Sequence, residues 1–358
     1  MIYVHVPLCR SFCTYCDFYS EIADKSLTER YTEQICQEIR RRGAEIDDSV
    51  KTLYFGGGTP SVLPLSSLTR ILLALEETGH GGPYEEFTLE MNPEDLIEKG
   101  PAYLKSLLSL GVNRASLGIQ SFDDTLLRWM NRRHDASRAI QAFEMVREAG
   151  FRNIGIDLIF GLSQLSDAVW EATVDQALAL RPQHISCYQL SVEGESALAR
   201  MVAEGRYKEA SDEACRQQYD LLCRKLGAAG YRHYEISNFA LPGFEALHNS
   251  GYWNRTPYVG FGPGAHSCRG AVRSWNDASI SHFGRTEEPL SDEDVRMETL
   301  MLALRTDRGI DAAFLHENCS TSDMERLVAQ GALVRSGTRY RIPEDHFFTA
   351  DEIIRELV

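Results

Sequence analysis

Residues 1–16 read Met1-Ile2-Tyr3-Val4-His5-Val6-Pro7-Leu8-Cys9-Arg10-Ser11-Phe12-Cys13-Thr14-Tyr15-Cys16. A β-prone run over 2–6 delivers the chain straight into cysteines spaced C-x3-C-x2-C, close enough to converge on one metal site. Three is the informative number. A structural zinc site closes with four ligands, whereas three cysteines on a [4Fe–4S] cubane leave one iron free to bind something else. Zinc completed by a distant His or Cys, and plain reactive thiols, stay open on spacing alone. The other six cysteines, 36, 187, 215, 223, 268 and 319, lack ligand spacing and read as small apolar residues.

Working outward, β-prone runs recur at 51–55, 86–91, 112–117, 153–160 and 184–190, separated by amphipathic stretches. Ser26 and Glu29 predict a capping box for a helix carrying Leu27, Tyr31, Ile35 and Ile39 and ending at Gly43. Ser137 predicts the cap of another, burying Ile140, Phe143 and Val146 before Gly150, and a third over 167–180 stops before Pro182. Six strands alternating with helices predict a parallel sheet, open or closed into a barrel.

At 358 residues the chain has room for about two domains. Its 43% hydrophobic and 25% charged content excludes a largely disordered or disulfide-framework protein. With 37 Lys plus Arg against 52 Asp plus Glu, the formal charge of −15 makes nucleic acid an unfavourable partner. The most apolar stretch, 154–162, is short and interrupted by Asp157, so no membrane span is expected. The first residues carry neither a basic leader nor an export segment, which predicts a cytoplasmic protein, with peripheral membrane association left open.

Periodicity lapses over 230–273, a stretch rich in aromatics, Gly, Pro and Asn that predicts a functional loop region. From 291, helical patterns at 292–305, 310–318 and 322–330 precede a hairpin at 333–335 and 339–342, the order of a winged helix. Residues 289–358 carry eight Arg, no Lys and fourteen Asp plus Glu, a net −6 that is the wrong sign for DNA. The expected organisation is therefore a barrel over 1–230, a loop-rich extension over 231–288 and a small winged-helix-like α+β domain over 289–358.

In β/α barrels chemistry gathers at the C-terminal ends of the strands. There the chain places Gly56-Gly57-Gly58-Thr59-Pro60, whose glycines let backbone N–H groups approach a ligand, then Glu90, Gln120 and Asp157, the last a charge inside an apolar strand. The cysteine spacing after strand one, with Tyr15 inside it, resembles the signature of the radical S-adenosylmethionine superfamily. That resemblance implies a partial six-stranded β/α barrel and a [4Fe–4S] cluster on Cys9, Cys13 and Cys16. It also implies that the free iron chelates S-adenosylmethionine, whose sulfonium is cleaved by an electron from the cluster to a 5′-deoxyadenosyl radical. The blocks Glu90-Met91-Asn92-Pro93, Leu117-Gly118-Ile119-Gln120-Ser121-Phe122 and Asp157-Leu158-Ile159-Phe160-Gly161-Leu162 are similar to those of the coproporphyrinogen dehydrogenase-like subgroup. On that similarity Tyr3, Tyr15, Gly57, Gly58, Thr59, Glu90, Gln120, Arg132 and Asp157 line the S-adenosylmethionine site. Arg128, Arg132 and Arg133 also read as a solvated basic helix face. Ser163 departs from the subgroup, which has proline there, and bears on the turn geometry alone.

The dehydrogenase branch has a fourth cysteine where this chain has Asp17-Phe18, and a longer leader than the eight residues before Cys9. The segment His248-Asn249-Ser250-Gly251-Tyr252-Trp253, followed by Gly260-Phe261-Gly262-Pro263-Gly264-Ala265-His266-Ser267, resembles instead the HemW-type haem chaperone branch. The resemblance then spans nearly the whole chain. It implies haem as cargo on His248, Tyr252 and Trp253, and delivery to haem-requiring, respiratory apoproteins at the membrane surface. An electron donor for the cluster and a cluster-dependent homodimer complete the expected partners. Imidazole is a common axial ligand of haem iron, and aromatic rings offer flat apolar area; the alternative is that these residues pack the loop against the barrel. His266 is a lesser second ligand. The competing functions are oxygen-independent oxidative decarboxylation of coproporphyrinogen III and a radical haem-modifying or haem-degrading methyltransferase-type enzyme.

Overall fold

A computed structural model describes residues 1–358 except Glu195 and Phe283. Six strands, β1 (Ile2–Val6), β2 (Thr52–Gly57), β3 (Glu86–Met91), β4 (Arg114–Gln120), β5 (Asn153–Phe160) and β6 (His184–Gln189), lie side by side in chain order. All five pairings between them are parallel. The crossovers carry α1 (Lys25–Arg42), α2 (Leu65–Glu77), α3 (Pro93–Ser109), α4 (Asp124–Trp129), α5 (Ala136–Ala149) and α6 (Asp167–Leu180). Outward residues such as Leu53, Phe55, Leu89, Leu117, Ile156 and Ile185 are buried against these helices and form the core. This is the parallel sheet expected from the alternation, in the partial β/α barrel that the family resemblance implies.

The capping residues differ from the expectation. Asp24, not Ser26, caps α1 by accepting the Leu27 N–H at 2.8 Å, and Asp135, not Ser137, caps α5 by accepting the Arg138 N–H at 2.8 Å. In both cases a carboxylate lies within two residues of the serine and also answers the positive end of the helix dipole. Gly150 ends α5 in the left-handed region, as its position predicts.

After α7 (Ala197–Ala203) and α8 (Asp212–Ala228), the stretch read as loop-dominated is largely built of short elements. Strands β7 (Arg232–Glu235) and β8 (Asn238–Ala240) form a hairpin, and β8 pairs antiparallel with β6. Helix α9 (Leu247–Trp253) follows, and then β9 (Val259–Phe261) pairs parallel with β1 on the opposite edge. The sheet order is thus β9-β1-β2-β3-β4-β5-β6-β8-β7. A second antiparallel sheet joins β10 (His266–Arg269), β11 (Val272–Asn276) and β12 (Arg285–Pro289). Elements of three to five residues leave no periodic signal, and each takes its conformation from a neighbouring edge that needs ladder partners.

Residues 292–355 follow the winged-helix order: α10 (Asp292–Leu304), β13 (Ile310–Asp311), α11 (Ala312–Asn318), α12 (Thr321–Ala329), then the hairpin β14 (Val334–Ser336) and β15 (Arg339–Arg341), and α13 (Ala350–Arg355). Its sheet runs β13-β15-β14. Among the described residues no helix is long and apolar enough to cross a membrane.

A buried ionic cluster fastens β9 to α1. Glu38 accepts from Arg42 at 2.5 Å, from the Gly262 N–H at 2.8 Å and from Asn276 at 2.7 Å, while Arg42 also donates to the Gly260 carbonyl at 2.9 Å. Truncating Glu38 leaves Arg42 paired with Glu45 at 3.1 Å but deprives the buried Gly262 N–H of its acceptor and Arg42 of one of its two carboxylates. Urea denaturation of Glu38→Ala is therefore expected to show a loss of about 2–3 kcal/mol. A loss below about 1 kcal/mol, the scale of an exposed pair, contradicts this role.

Candidate functional site

Alternation along each strand sends every second side chain into the barrel lumen. On β2 these are Thr52 and Tyr54, on β3 Glu86, Thr88 and Glu90, on β4 Arg114 and Ser116, on β5 Gly155 and Asp157, and on β6 His184 and Ser186. Of these, Tyr54, Glu90, Arg114, Ser116, Asp157, His184 and Ser186 line a cavity of about 1130 Å³ that runs from the cysteine loop to helix α9. All nine residues assigned by resemblance to S-adenosylmethionine line it, as do Cys9, Cys13, Cys16, His248 and Tyr252. Trp253 and His266 are not among the lining residues.

The loop after β1 holds the thiols at the upper end. Cys9 Sγ lies 3.5 Å from Thr59 Oγ1, and Arg132 donates to Cys13 Sγ at 3.3 Å. Arg132 is no part of a solvated helix face: it follows α4 and is fixed by Asn92 Oδ1 and the Gly118 carbonyl, each at 2.7 Å. Burial raises the Cys9 thiol and pushes Cys16 up to about 11, with the neighbouring thiols adding to both. Among the described residues no three His, Cys, Asp or Glu gather tightly enough for a single metal ion.

The glycine turn abuts this loop. Gly57 has φ 106°, where a side chain would be strained, and a Cβ on Gly58 would lie 3.0 Å from Cys9 Sγ. The Gly57 N–H donates to Glu90 Oε2 at 3.2 Å, and Tyr54 donates to Glu90 Oε1 at 2.6 Å. Burial, aided by nearby Asp157, raises Glu90 to about 7. Gln120 stands at φ 70°, just past an irregularity in the β4–β5 register, and lines the cavity from that backbone. A non-glycine residue in this region at a cavity wall is strain stored at a site. Ser163, where the subgroup has proline, uses the N–H that proline lacks to donate to Tyr207 at 3.0 Å.

The lower end is closed by α9. The Leu247 and His248 N–H groups donate to Glu86, the first residue of β3, at 2.8 and 2.9 Å. His248 is 1% exposed; its Nδ1 pairs with Thr52 Oγ1 at 2.8 Å and its Nε2 with the Tyr252 hydroxyl at 2.9 Å. Burial, together with the N-terminal amine and Arg114, lowers His248 to about 3, so the imidazole is neutral. Sequence reading missed Tyr54, Arg114, Ser116, His184 and Ser186. Their signal was the polar residue at every second position of β2, β3, β4 and β6, in strands otherwise apolar enough to be buried on both faces.

The sequence model of the Radical SAM superfamily matches residues 3–177, which defines the class of protein that this barrel and thiol loop form. Proteins named "Heme chaperone HemW" match beyond it: that of Lactococcus lactis is 34% identical over 86% of this chain and 82% of its own length. That of Mycobacterium tuberculosis is 32% identical over 100% of this chain and 94% of its own. The solved structure of coproporphyrinogen III oxidase (HemN) from Escherichia coli superposes with TM-score 0.83 at 20% identity, covering 99% of this chain and 89% of that one. The chain belongs to the HemW family of radical S-adenosylmethionine proteins. The superfamily's cofactors are a [4Fe–4S] cluster and S-adenosylmethionine. Three soft thiols, a glycine cradle too close to Cys9 for a Cβ and the buried, partnerless Arg132 Nε fit that pair.

Because the folded-state value of Glu90 is raised, the neutral acid stabilises the fold fully below pH 4.5, and that stability is lost as pH rises through about 7. Glu90→Gln, without cofactor, is expected to unfold at higher urea than wild type at pH 8, the gap closing towards pH 4.5. No gain at pH 8 contradicts the buried carboxylate.

Proposed function

We propose that this chain binds haem and hands it to haem-requiring apoproteins. The observation that carries the reading is a single cavity joining the thiol loop to the His248–Tyr252 pair in a HemW-family chain. In this reading Cys9, Cys13 and Cys16 hold the cluster, and Tyr3, Tyr15, Gly57, Gly58, Thr59, Glu90, Gln120, Arg132 and Asp157 hold S-adenosylmethionine. When bound, the cluster supplies electrons to S-adenosylmethionine. Arg132 bridges the thiol loop and β4, Glu90 offers a carboxylate to a ligand ammonium, and the cavity wall excludes water.

His248 is built as a neutral ligand: Thr52 fixes Nδ1, the partner that metal-bound imidazoles use to set their tautomer, and Nε2 is the ligating atom. Iron at Nε2 must displace the Tyr252 hydroxyl. Contact with Trp253 requires α9 to shift, since that residue lies outside the cavity wall. The reading extends to a cytoplasmic protein meeting its acceptors at the membrane surface, an external electron donor and a cluster-dependent homodimer. It keeps 1–230, 231–288 and 289–358 as working units, the last gating the cavity or docking a recipient.

The test is an anaerobic haem titration of the cluster-reconstituted protein, followed at the Soret band. Saturable binding, weakened about tenfold or more in His248→Ala, is the expected result, on the scale of a lost iron ligand. No saturable binding overturns the chaperone reading and favours porphyrinogen chemistry. Cys13→Ala, compared by iron and sulfide content and by circular dichroism, is expected to lose the cluster and keep the barrel. Full iron content in that variant overturns the ligand assignment.

A further inference from the structure

Arg114 opens β4, and its side chain lies near the floor of the lumen, 2% exposed. It forms no hydrogen bond or ion pair with any described residue, and its Nε is buried without a partner. The carboxylates around it are committed elsewhere. Glu86 accepts the two N–H groups of α9, Asp157 accepts from Ser116 at 3.4 Å, and Glu90 accepts from Tyr54 and Gly57. A guanidinium whose Nε is buried without an acceptor, and whose other nitrogens find none among the described residues, is a costly arrangement, and such groups mark sites.

A second unpartnered group faces the same space. His184 Nδ1 is buried with no partner, while its Nε2 pairs with the Tyr234 hydroxyl at 2.8 Å. In the tautomer where Nε2 accepts the Tyr234 hydroxyl proton, the ring proton sits on Nδ1 and points a free donor into this space. Gly155 keeps the space between the two groups clear: a Cβ there would stand 3.2 Å from Arg114 Nη2 and 3.4 Å from His184 Nδ1. Both residues line the cavity.

We propose that Arg114 and His184 form a carboxylate-binding pocket near the floor of the barrel, and that it seats a propionate of the tetrapyrrole cargo. The planar guanidinium fork matches a carboxylate's two oxygens, and the neutral imidazole adds a third donor. The negative charges of Glu86 and Asp157 near Arg114 favour a monoanion over a phosphate dianion. The identity of the cargo rests on the haem reading above; the pocket itself does not.

The experiment compares haem with its dimethyl ester, which blocks both propionates, in Soret titrations of the full-length wild type, Arg114→Gln and Arg114→Lys. Wild type is expected to prefer the free acid by about tenfold or more, the scale of a charge-assisted hydrogen bond. Arg114→Gln is expected to erase that preference by weakening the acid alone, and Arg114→Lys to keep part of it. A wild type that binds ester as tightly as acid, or an Arg114→Gln that keeps the preference, overturns the propionate assignment. Should Arg114→Gln fail to fold, Arg114→Lys decides, an undiminished preference counting against the pocket. If neither tetrapyrrole binds wild type, the haem reading falls and succinate judges the pocket. A rise in the thermal midpoint over equal chloride, absent in Arg114→Gln, sustains a carboxylate site; no rise overturns it.

Discussion

The rest of the structure depends on one constraint: the lumen faces of the parallel strands are polar. In closed β/α barrels that interior is filled by layers of branched apolar side chains. Here Tyr3, Thr52, Tyr54, Thr88, Glu90, Ser116, Asp157, His184 and Ser186 occupy it, and groups of this kind must find partners once they leave water. Tyr54 meets Glu90, Ser116 meets Asp157, Thr52 meets His248 and Tyr234 meets His184, so much of the inner surface is satisfied across strands. Such a lining cannot collapse into an apolar core, and a cavity with directed polar groups remains.

The two ends of that cavity are built on opposite logic. At the strands' C-terminal end, loops bring soft donors and backbone N–H groups together: Cys9, Cys13 and Cys16 beside the glycine turn. At the other end a helix is locked in place, with Glu86 holding the first N–H groups of α9 and Thr52 holding the ring of His248. Burial suppresses charge at both ends, raising Cys9, Cys16 and Glu90 and lowering His248 and His184. Among the arginines that line it, Arg132 above and Arg114 below each keep a buried Nε without a partner and give the long cavity two separate places for an anionic group.

Where a single element is long enough to state its own period, the sequence was readable. The six strands came within three residues of their observed ends, and the helices of the C-terminal unit and its hairpin nearly so. Caps were less readable, because Asp24 and Asp135 stand beside serines that could equally serve. The strands between 232 and 276 were missed outright. Val259–Phe261 is three residues long, and it is a strand because β1 presents an unpaired edge to it. For the site, a motif made the thiols and the glycine turn legible. Arg114, Ser116 and His184 belong to no motif; only their alternate placement marks them. Trp253 shows the limit of a motif, since a contiguous hexapeptide on a seven-residue helix cannot aim every side chain at one cavity.

The segment from 232 to 261 then has more to do than its irregular composition implies. Its β8 covers the β6 edge, its α9 closes the floor and its β9 covers the β1 edge, so one short stretch seals the gap that six strands leave open. It also carries the residues assigned to haem. A ligand that displaces Tyr252 from His248 perturbs α9, and α9 is tied through a few residues on either side to both edge strands. The Glu38–Arg42 cluster resists that pull at β9 by gripping Gly260 and Gly262. At β8 the hold is Glu235, which accepts from Asn238 and from Asn249 of α9. With the cargo on His248, as proposed, its binding, edge protection and floor closure are mechanically one event, and the anchor at each edge determines how far α9 can move.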